Sequence, residues 1–176
     1  MFIVWTKRNP SYDRDLHFSP NDFHHLAGIQ HADDIDLGLN PRERYGEKFF
    51  HAVLSKRITS TKLEKSANWK QIESRLHIIN NLDHIIENPL VVAEFRADRV
   101  RGGSRINAKY IIKSQTGQDI LFLFLDEKTG KYYCKSAFKY EALDYTVNQT
   151  QLTTLKITKT TESGYTIIYL RPNFKG

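Results

Sequence analysis

Two adjacent histidines, His24 and His25, are the side chains in this sequence best suited to transferring protons near neutral pH. Ser19 and Pro20 before them are typical of a helix start, and Gly28 after them is typical of a helix end. Helical geometry places both histidines outside the stripe formed by the neighbouring apolar residues. We therefore expect neither imidazole to pack in the core. Two solvated histidines without a function are the ordinary alternative.

A run of arginines and lysines between residues 96 and 113 is the best candidate for a phosphate-binding surface. It surrounds Gly102-Gly103-Ser104, where the glycines would let backbone N–H groups approach a phosphate. Glu94 and Asp98 are the acids nearby. An ordinary solvated hairpin explains the same residues, and both interpretations stay open. The cations of this run are Arg96, Arg99, Arg101, Arg105, Lys109 and Lys113.

The spacing of the other reactive residues supports no metal site, cofactor or covalent nucleophile. None of the seven histidines has the i, i+4 spacing and acidic neighbour of a zinc hydrolase. Cys134 is the single cysteine, which rules out an intramolecular disulfide and a cysteine zinc cluster and fits a reducing compartment. The chain lacks the Gly-x-Ser-x-Gly elbow of serine hydrolases, and Gly102-Gly103 lacks the lysine and hydroxyl spacing of a P-loop.

Length and composition indicate one domain that spans residues 1–176. A chain of 176 residues can bury a core without disulfides or metals, and its 40% hydrophobic content argues against intrinsic disorder. No apolar run approaches the roughly 20 residues that cross a bilayer, so we expect a cytoplasmic protein with no membrane partner. The balance of 26 Lys+Arg against 20 Asp+Glu suits a polyanionic partner without requiring one.

Helical periodicity fills most of the first half of the chain. Asn40-Pro41 is typical of a helix start, and the helical pattern runs to about residue 56. A short helical turn through Leu63 follows. The strongest helix covers residues 67–87, where apolar side chains recur every three or four positions, and Asn88-Pro89 ends it.

The second half of the chain is rich in strands separated by glycine-containing turns. Two short strands, at residues 2–6 and 15–18, precede the helices, with turn residues at 7–11 between them. Later strands are predicted at residues 91–96, 109–113, 120–125, 132–136, 155–159 and 165–170. The whole pattern predicts an α+β fold in which N-terminal helices pack on one face of a C-terminal curved antiparallel β-meander.

The histidine segment also carries a resemblance to a known family. Phe23-His24-His25-Leu26-Ala27-Gly28 resembles the Phe-x-His-Leu-Thr-Gly signature of a phage- and prophage-encoded family in the barnase, EndoU, colicin and RelE-like (BECR) nuclease superfamily. His25 matches the family's histidine, whereas His24 occupies a variable position. Ala27 stands where the family usually has a small hydroxyl residue. The BECR fold likewise places helices before an antiparallel sheet.

The resemblance extends more loosely from about residue 15 to residue 145. Ser136 follows a tyrosine-rich stretch and resembles a hydroxyl residue on a late strand of the family. Arg75 falls where the family has a helical lysine; an arginine keeps the charge but not a role in proton transfer. A surface side chain is the ordinary interpretation of Arg75.

Together these features predict a metal-independent endoribonuclease, toxin-like or phage-associated, in which the ribose 2′-hydroxyl attacks its own phosphate. His25 would be the acid or base, Arg105 and Lys109 would stabilise the phosphate, and Ser136 would donate a hydrogen bond. The resemblance implies a 2′,3′-cyclic phosphate product, RNA as the partner, and an antitoxin or immunity protein as a further one. The remaining nucleic-acid contacts would come from His24, Arg75, Arg96, Arg99, Arg101, Tyr110, Lys113 and Tyr133, the tyrosines by stacking on bases.

Two other functions fit the composition. The same basic surface and aromatic side chains would serve a module that binds RNA or DNA without cleaving it. A protein-binding adaptor is the third class, and no residue pattern specifically favours it. Convergence of His25, Arg105, Lys109 and Ser136 in one cleft would favour the nuclease over both alternatives.

Overall fold

The computed structural model describes residues 2–6, 11–161 and 164–174. Within these ranges five α-helices occupy the first half of the chain: α1 Pro20–Leu26, α2 Gly46–Leu54, α3 Ser60–Leu63, α4 Trp69–Asn80 and α5 Leu82–Glu87. The strands described are β1 Phe2–Thr6, β2 Ser11–His17, β3 Pro89–Glu94, β4 Tyr110–Thr116, β5 Asp119–Lys128, β6 Lys131–Lys139, β7 Thr150–Thr161 and β8 Gly164–Leu170. Every predicted strand is confirmed, and most extend beyond their predicted ends. Of the predicted turn at 7–11, residues 7–10 lie outside the described ranges.

All eight strands form one mixed but mostly antiparallel sheet in the order β1-β2-β6-β5-β4-β3-β7-β8. The four strands from β3 to β6 make the predicted meander of consecutive hairpins. β1 also pairs with β7, where Ile3 lies opposite Ile157, so the sheet curls back on itself. The parallel pair is β2 with β6, which brings the N-terminal strand beside a late one.

The central strand β5 explains why both faces of the sheet are covered. Its five residues from Leu121 to Leu125 are all apolar and fully buried. Alternation along the strand sends Leu121, Leu123 and Leu125 into a core shared with Ile78 and Ile85 of the helices. Phe122 and Phe124 point the other way, into a second core closed by the segments around residues 95–108 and 143–145. The predicted α+β arrangement, with helices on one face of a curved sheet, is confirmed.

Two helix boundaries differ from the predictions. Asn40 accepts from the backbone N–H groups of Arg42 and Glu43, both at 3.1 Å, as a helix cap does, but residues 41–43 form only a turn. Because Tyr45 is extended and Gly46 has φ of 59°, α2 begins only at Gly46. The predicted single helix at 67–87 is divided at Asn81, whose side-chain amide donates to the His77 carbonyl at 2.8 Å. After this division α4 contacts β6, whereas α5 contacts β4.

In the part of the chain that the structure describes, every helix is too short or too polar to span a bilayer.

Candidate active site

Helix α1 holds the two histidines, and both of its ends are fixed as the sequence predicts. At the start, the backbone N–H of Ser19 donates to the Asp22 carboxylate at 2.7 Å, and Pro20 occupies the first turn. At the end, Gly28 adopts a left-handed conformation with φ of 71°. The helix is therefore short and rigidly placed, and its two imidazoles leave it in different directions.

His24 is buried, and the expectation that neither histidine packs in the core is wrong for this residue. Only 8% of its surface is exposed, and its ring lies 5.0 Å from that of Tyr45 and 5.6 Å from that of Phe49. Burial lowers the pKa of His24, and the neighbouring His25 lowers it further. Helix α2 covers a side of α1 that the apolar stripe does not mark. His24 is thus a packing residue, and this burial counts against its predicted contact with nucleic acid.

His25 points instead towards two cations contributed by other elements. Arg75 of α4 donates from Nη1 to the His25 carbonyl at 3.4 Å. Partial burial is the main cause that lowers the pKa of the His25 imidazole, followed by the charges of Arg75 and Lys135. A hydrogen bond with the Lys135 carbonyl raises the pKa of His25, and the charge of His31 lowers it by a smaller amount. Because the pKa lies below the ordinary value of about 6.5, His25 is neutral at pH 7 and can accept a proton.

Arg75 is a partly exposed arginine that lies between α1 and β6 and contacts both. Its guanidinium carbon lies 5.3 Å from the centre of the Phe138 ring, within the range of a cation–π contact. Gly28 leaves room for the arginine, since a Cβ at that position would overlap Arg75 Cδ. Partial burial lowers the pKa of Arg75, but a guanidinium keeps its charge at any working pH. The chain thus supplies a fixed positive charge beside His25.

Lys135 reaches this site through an irregularity in β6. Leu125 of β5 pairs with Cys134, and Phe124 pairs with Ser136, so Lys135 is an extra residue in a β-bulge. Bulges bend a strand and change the direction of a side chain, and they are common beside active sites. β2 pairs with β6 only as far as Tyr133, and α1 and α4 also contact this strand. The Lys135 backbone forms a hydrogen bond with His25, so the bulge faces the histidine helix.

The predicted catalytic residues do not all converge. Ser136, with 9% of its surface exposed, follows the bulge and so lies next to Lys135 in the chain. Arg105 and Lys109 lie in the segment whose Ile106 and Ala108 pack against the second core, on the sheet face opposite the helices. No contact among the described residues joins either cation to His25, and Lys109 lies 4.0 Å from Glu127. The structure brings Arg75 and Lys135 to His25 in place of Arg105 and Lys109.

Several members of the predicted basic surface are paired with acceptors. Arg96 binds Asp98 at 3.0 Å, Arg99 donates to the Thr150 hydroxyl at 3.0 Å, and Lys113 binds Asp144. Arg101 and Arg105 are exposed. The two ion pairs, of Arg96 and Lys113, reduce the net charge available to a phosphate along this run.

The two candidate stacking tyrosines are both engaged with other side chains. Tyr110 is buried, with its ring 5.1 Å from that of Tyr132, so the expectation that it offers a platform to a base is wrong. Tyr133 is half-buried and donates its hydroxyl to the Asp126 carboxylate at 3.1 Å. Partial burial and this carboxylate raise the pKa of Tyr133, which keeps the phenol protonated.

Sequence reasoning missed Lys135, and it also missed a cleft of about 460 Å³ that opens beside Arg75 between α4 and β6. A bulge has no reliable sequence signal, and the cleft depends on contacts between distant segments. Within the described ranges, no three His, Cys, Asp or Glu side chains are grouped as ligands of one metal ion.

Comparison with known proteins identifies the family. The family model of the phage-Barnase-EndoU-ColicinE5/D-RelE like nuclease4 group, PBECR4, matches residues 1–172. The chain belongs to this nuclease family. The match includes the histidine helix, α4 and all of β6, and it confirms the resemblance found in the Phe23 to Gly28 segment. No curated protein and no solved structure matches this PBECR4 member.

Replacing Gly28 with alanine should displace Arg75 and lower activity together with stability. The left-handed backbone costs a residue with a Cβ about 1–2 kcal/mol, and the added methyl group would overlap Arg75 Cδ. Gly102→Ala is the matched control, because Gly102 has φ of 81° but nothing within 4 Å of an added Cβ. Urea unfolding and nuclease rates would be measured for both variants. Equal loss of rate in the two variants would contradict a positioning role for Gly28.

Acidification should destabilise the folded protein through His24. Its pKa is lowered in the folded state, so the unfolded chain binds more protons, and stability falls as the pH drops below about 6.5. The loss can reach about 1.4 kcal/mol per pH unit until the folded-state pKa is passed. Urea midpoints at about pH 5 and about pH 7.5 would measure it. His24→Phe, which fills the site without a titrating group, should reduce the pH dependence; an unchanged dependence would assign it to other groups.

Proposed function

We propose that this PBECR4 nuclease is a metal-independent endoribonuclease that uses His25 to transfer a proton. The observation that carries the proposal is the setting of His25, a neutral imidazole beside the cationic side chains of Arg75 and Lys135. Cleavage of RNA by its own 2′-hydroxyl needs these parts: a group that accepts a proton near pH 7 and positive charge for the phosphate. The proposed site contains all of them within one chain.

In the proposed reaction His25 acts as the general base. Its neutral imidazole takes the proton of the ribose 2′-hydroxyl while the 2′-oxygen forms a bond to phosphorus. The bond from phosphorus to the 5′-oxygen breaks, and the leaving oxygen takes a proton from solvent. Arg75 and Lys135 offset the negative charge that grows on the phosphoryl oxygens. The products are a 2′,3′-cyclic phosphate and a 5′-hydroxyl.

The biological setting that we infer follows from the family description, which names phage and colicin nucleases. A phage-associated or toxin-like ribonuclease would act on the RNA of a cell. A toxin-like enzyme needs a partner that restrains it in the cell that makes it, so an antitoxin or immunity protein belongs to the same proposal.

Purified protein in EDTA should cut single-stranded RNA and leave DNA of the same sequence intact. The attacking hydroxyl exists only in RNA, and the proposed chemistry uses side chains in place of a metal. Gel analysis with RNA that carries one 2′-deoxynucleotide would give the sharpest test, because cleavage should stop at that position alone. Loss of cleavage in EDTA would overturn the mechanism. Binding of RNA without cleavage under any condition would favour a non-catalytic nucleic-acid-binding module.

A further inference from the structure

The cleft beside Arg75 has polar and apolar walls, carries more cations than acids and lies close to the proposed reacting groups. Helix α4 lines one side with Lys70, Gln71, Ser74 and Arg75, and β6 contributes Phe138 and Lys139 to the other. Glu141 is the acid among the lining residues, so cations outnumber acids there. Arg75 belongs both to this lining and to the surroundings of His25. A molecule in the cleft would therefore lie next to a phosphate held at His25.

The walls of the cleft are fixed by contacts with the core. Tyr145 closes one end, and its ring packs edge-on against Phe122 at 5.5 Å and Phe124 at 5.4 Å. Lys139 is held by Asp119 at 2.7 Å. Preformed pockets of about 300–1,000 Å³ with a few polar groups are typical of small-molecule sites, and the cleft volume of about 460 Å³ falls in this range.

We propose that this cleft is a subsite for one unpaired nucleotide next to the scissile phosphate, which makes single-stranded RNA the substrate class. The proposal rests on the proposed function for the identity of the reaction, whereas the binding site itself rests on the cleft. The Gln71 amide can both donate to and accept from a base edge, and Lys70 can bind the adjacent phosphate.

A cleft of about 460 Å³ has the size of a site for one small molecule, so it cannot enclose a nucleotide that stays paired with a second strand. Helix α4 stands on one side of the cleft and the segment around residues 141–145 on the other. A base enters between these walls only after it leaves its stack and its partner strand. Unpairing costs a few kcal/mol in a duplex and much less in a loop or a single strand. The shape of the cleft therefore selects unpaired RNA.

Binding of a 2′-O-methyl oligonucleotide tests the proposal independently of cleavage, since this probe lacks the attacking hydroxyl. Wild-type protein should bind the single strand at least tenfold more tightly than its duplex with a complementary strand. Lys70→Ala with Gln71→Ala should weaken single-strand binding by about 20-fold and leave duplex binding nearly unchanged. Fluorescence anisotropy at one fixed salt concentration measures all four dissociation constants.

The matched control is Lys65→Ala with Asn80→Ala, which removes one lysine and one amide from exposed positions that do not line the cleft. The control should bind within twofold of wild type. Equal affinities for single strand and duplex, or equal effects of the two double variants, would overturn the subsite. If the protein cleaves RNA but the cleft substitutions do not affect binding, the proposed reaction stands and the subsite is rejected. If binding depends on the cleft but no RNA is cleaved, the subsite stands and the proposed reaction is rejected.

Discussion

Replacing His25 with alanine should lower the rate of RNA cleavage by about 100- to 10,000-fold, because the reaction then lacks its general base. RNA affinity should change little, since the cations that contact phosphate remain. The side chain is exposed and alanine favours helices, so the variant should unfold at nearly the same urea concentration as wild type. Single-turnover kinetics with a short labelled RNA would measure the rate, and anisotropy would measure the affinity.

Wild-type rates should also rise with pH through the lowered pKa of His25 and become constant near neutrality. The His25→Ala variant should lack this acidic limb. His51→Ala is the control, because His51 is an exposed histidine on α2 whose ring nitrogen lies 3.5 Å from Glu47. A normal rate for His25→Ala would remove the imidazole from the mechanism. Loss of rate in His24→Ala without loss of stability would show that His24, and not His25, transfers the proton.

Replacing Arg75 with alanine should lower the cleavage rate by about 100- to 1,000-fold, as expected when one preorganised charge is removed from a transition state. The same change should shift the acidic limb of the pH profile upwards, since Arg75 lowers the pKa of His25. Arg75→Lys should retain part of the rate but lose the planar contact with Phe138. The shift of the pH limb is the measurement that a purely structural role would not produce.

Arg105→Ala is the informative comparison for Arg75. Arg105 is one of the two cations, with Lys109, that the sequence assigns to the phosphate, but it is exposed on a segment that packs against the second core. We expect its loss to change the rate by less than about threefold at moderate salt. A larger loss in Arg105→Ala than in Arg75→Ala would place the phosphate on the basic run and overturn the site described above.

Most of the fold could be predicted because its signals are local. Turn residues and alternating apolar residues marked each later strand, and the capping residues marked α1 correctly. Errors arose where the backbone departs locally from the helical pattern. This happens at Tyr45 and Gly46 before α2, and at Asn81, whose side chain bonds to a helical carbonyl.

The candidate site was less predictable because its contacts join distant segments. Periodicity reports the apolar face of one helix, so it could not show that α2 covers His24 from another side. Proximity in the chain suggested Arg105 and Lys109 as one cluster, whereas the sheet brings Arg75 and the bulged Lys135 to His25. The choice of His25 over His24 as the candidate acid or base came from the family signature.

The pairing of the first strands with late ones determines when the candidate site can assemble during synthesis of this chain. His25 lies in the first helix, α1, whereas Lys135 lies in β6, and β1 reaches its partner β7 later still. Contacts so far apart in sequence form only after the intervening chain has left the ribosome. A growing chain therefore holds its imidazole and its bulged lysine apart until translation is nearly finished.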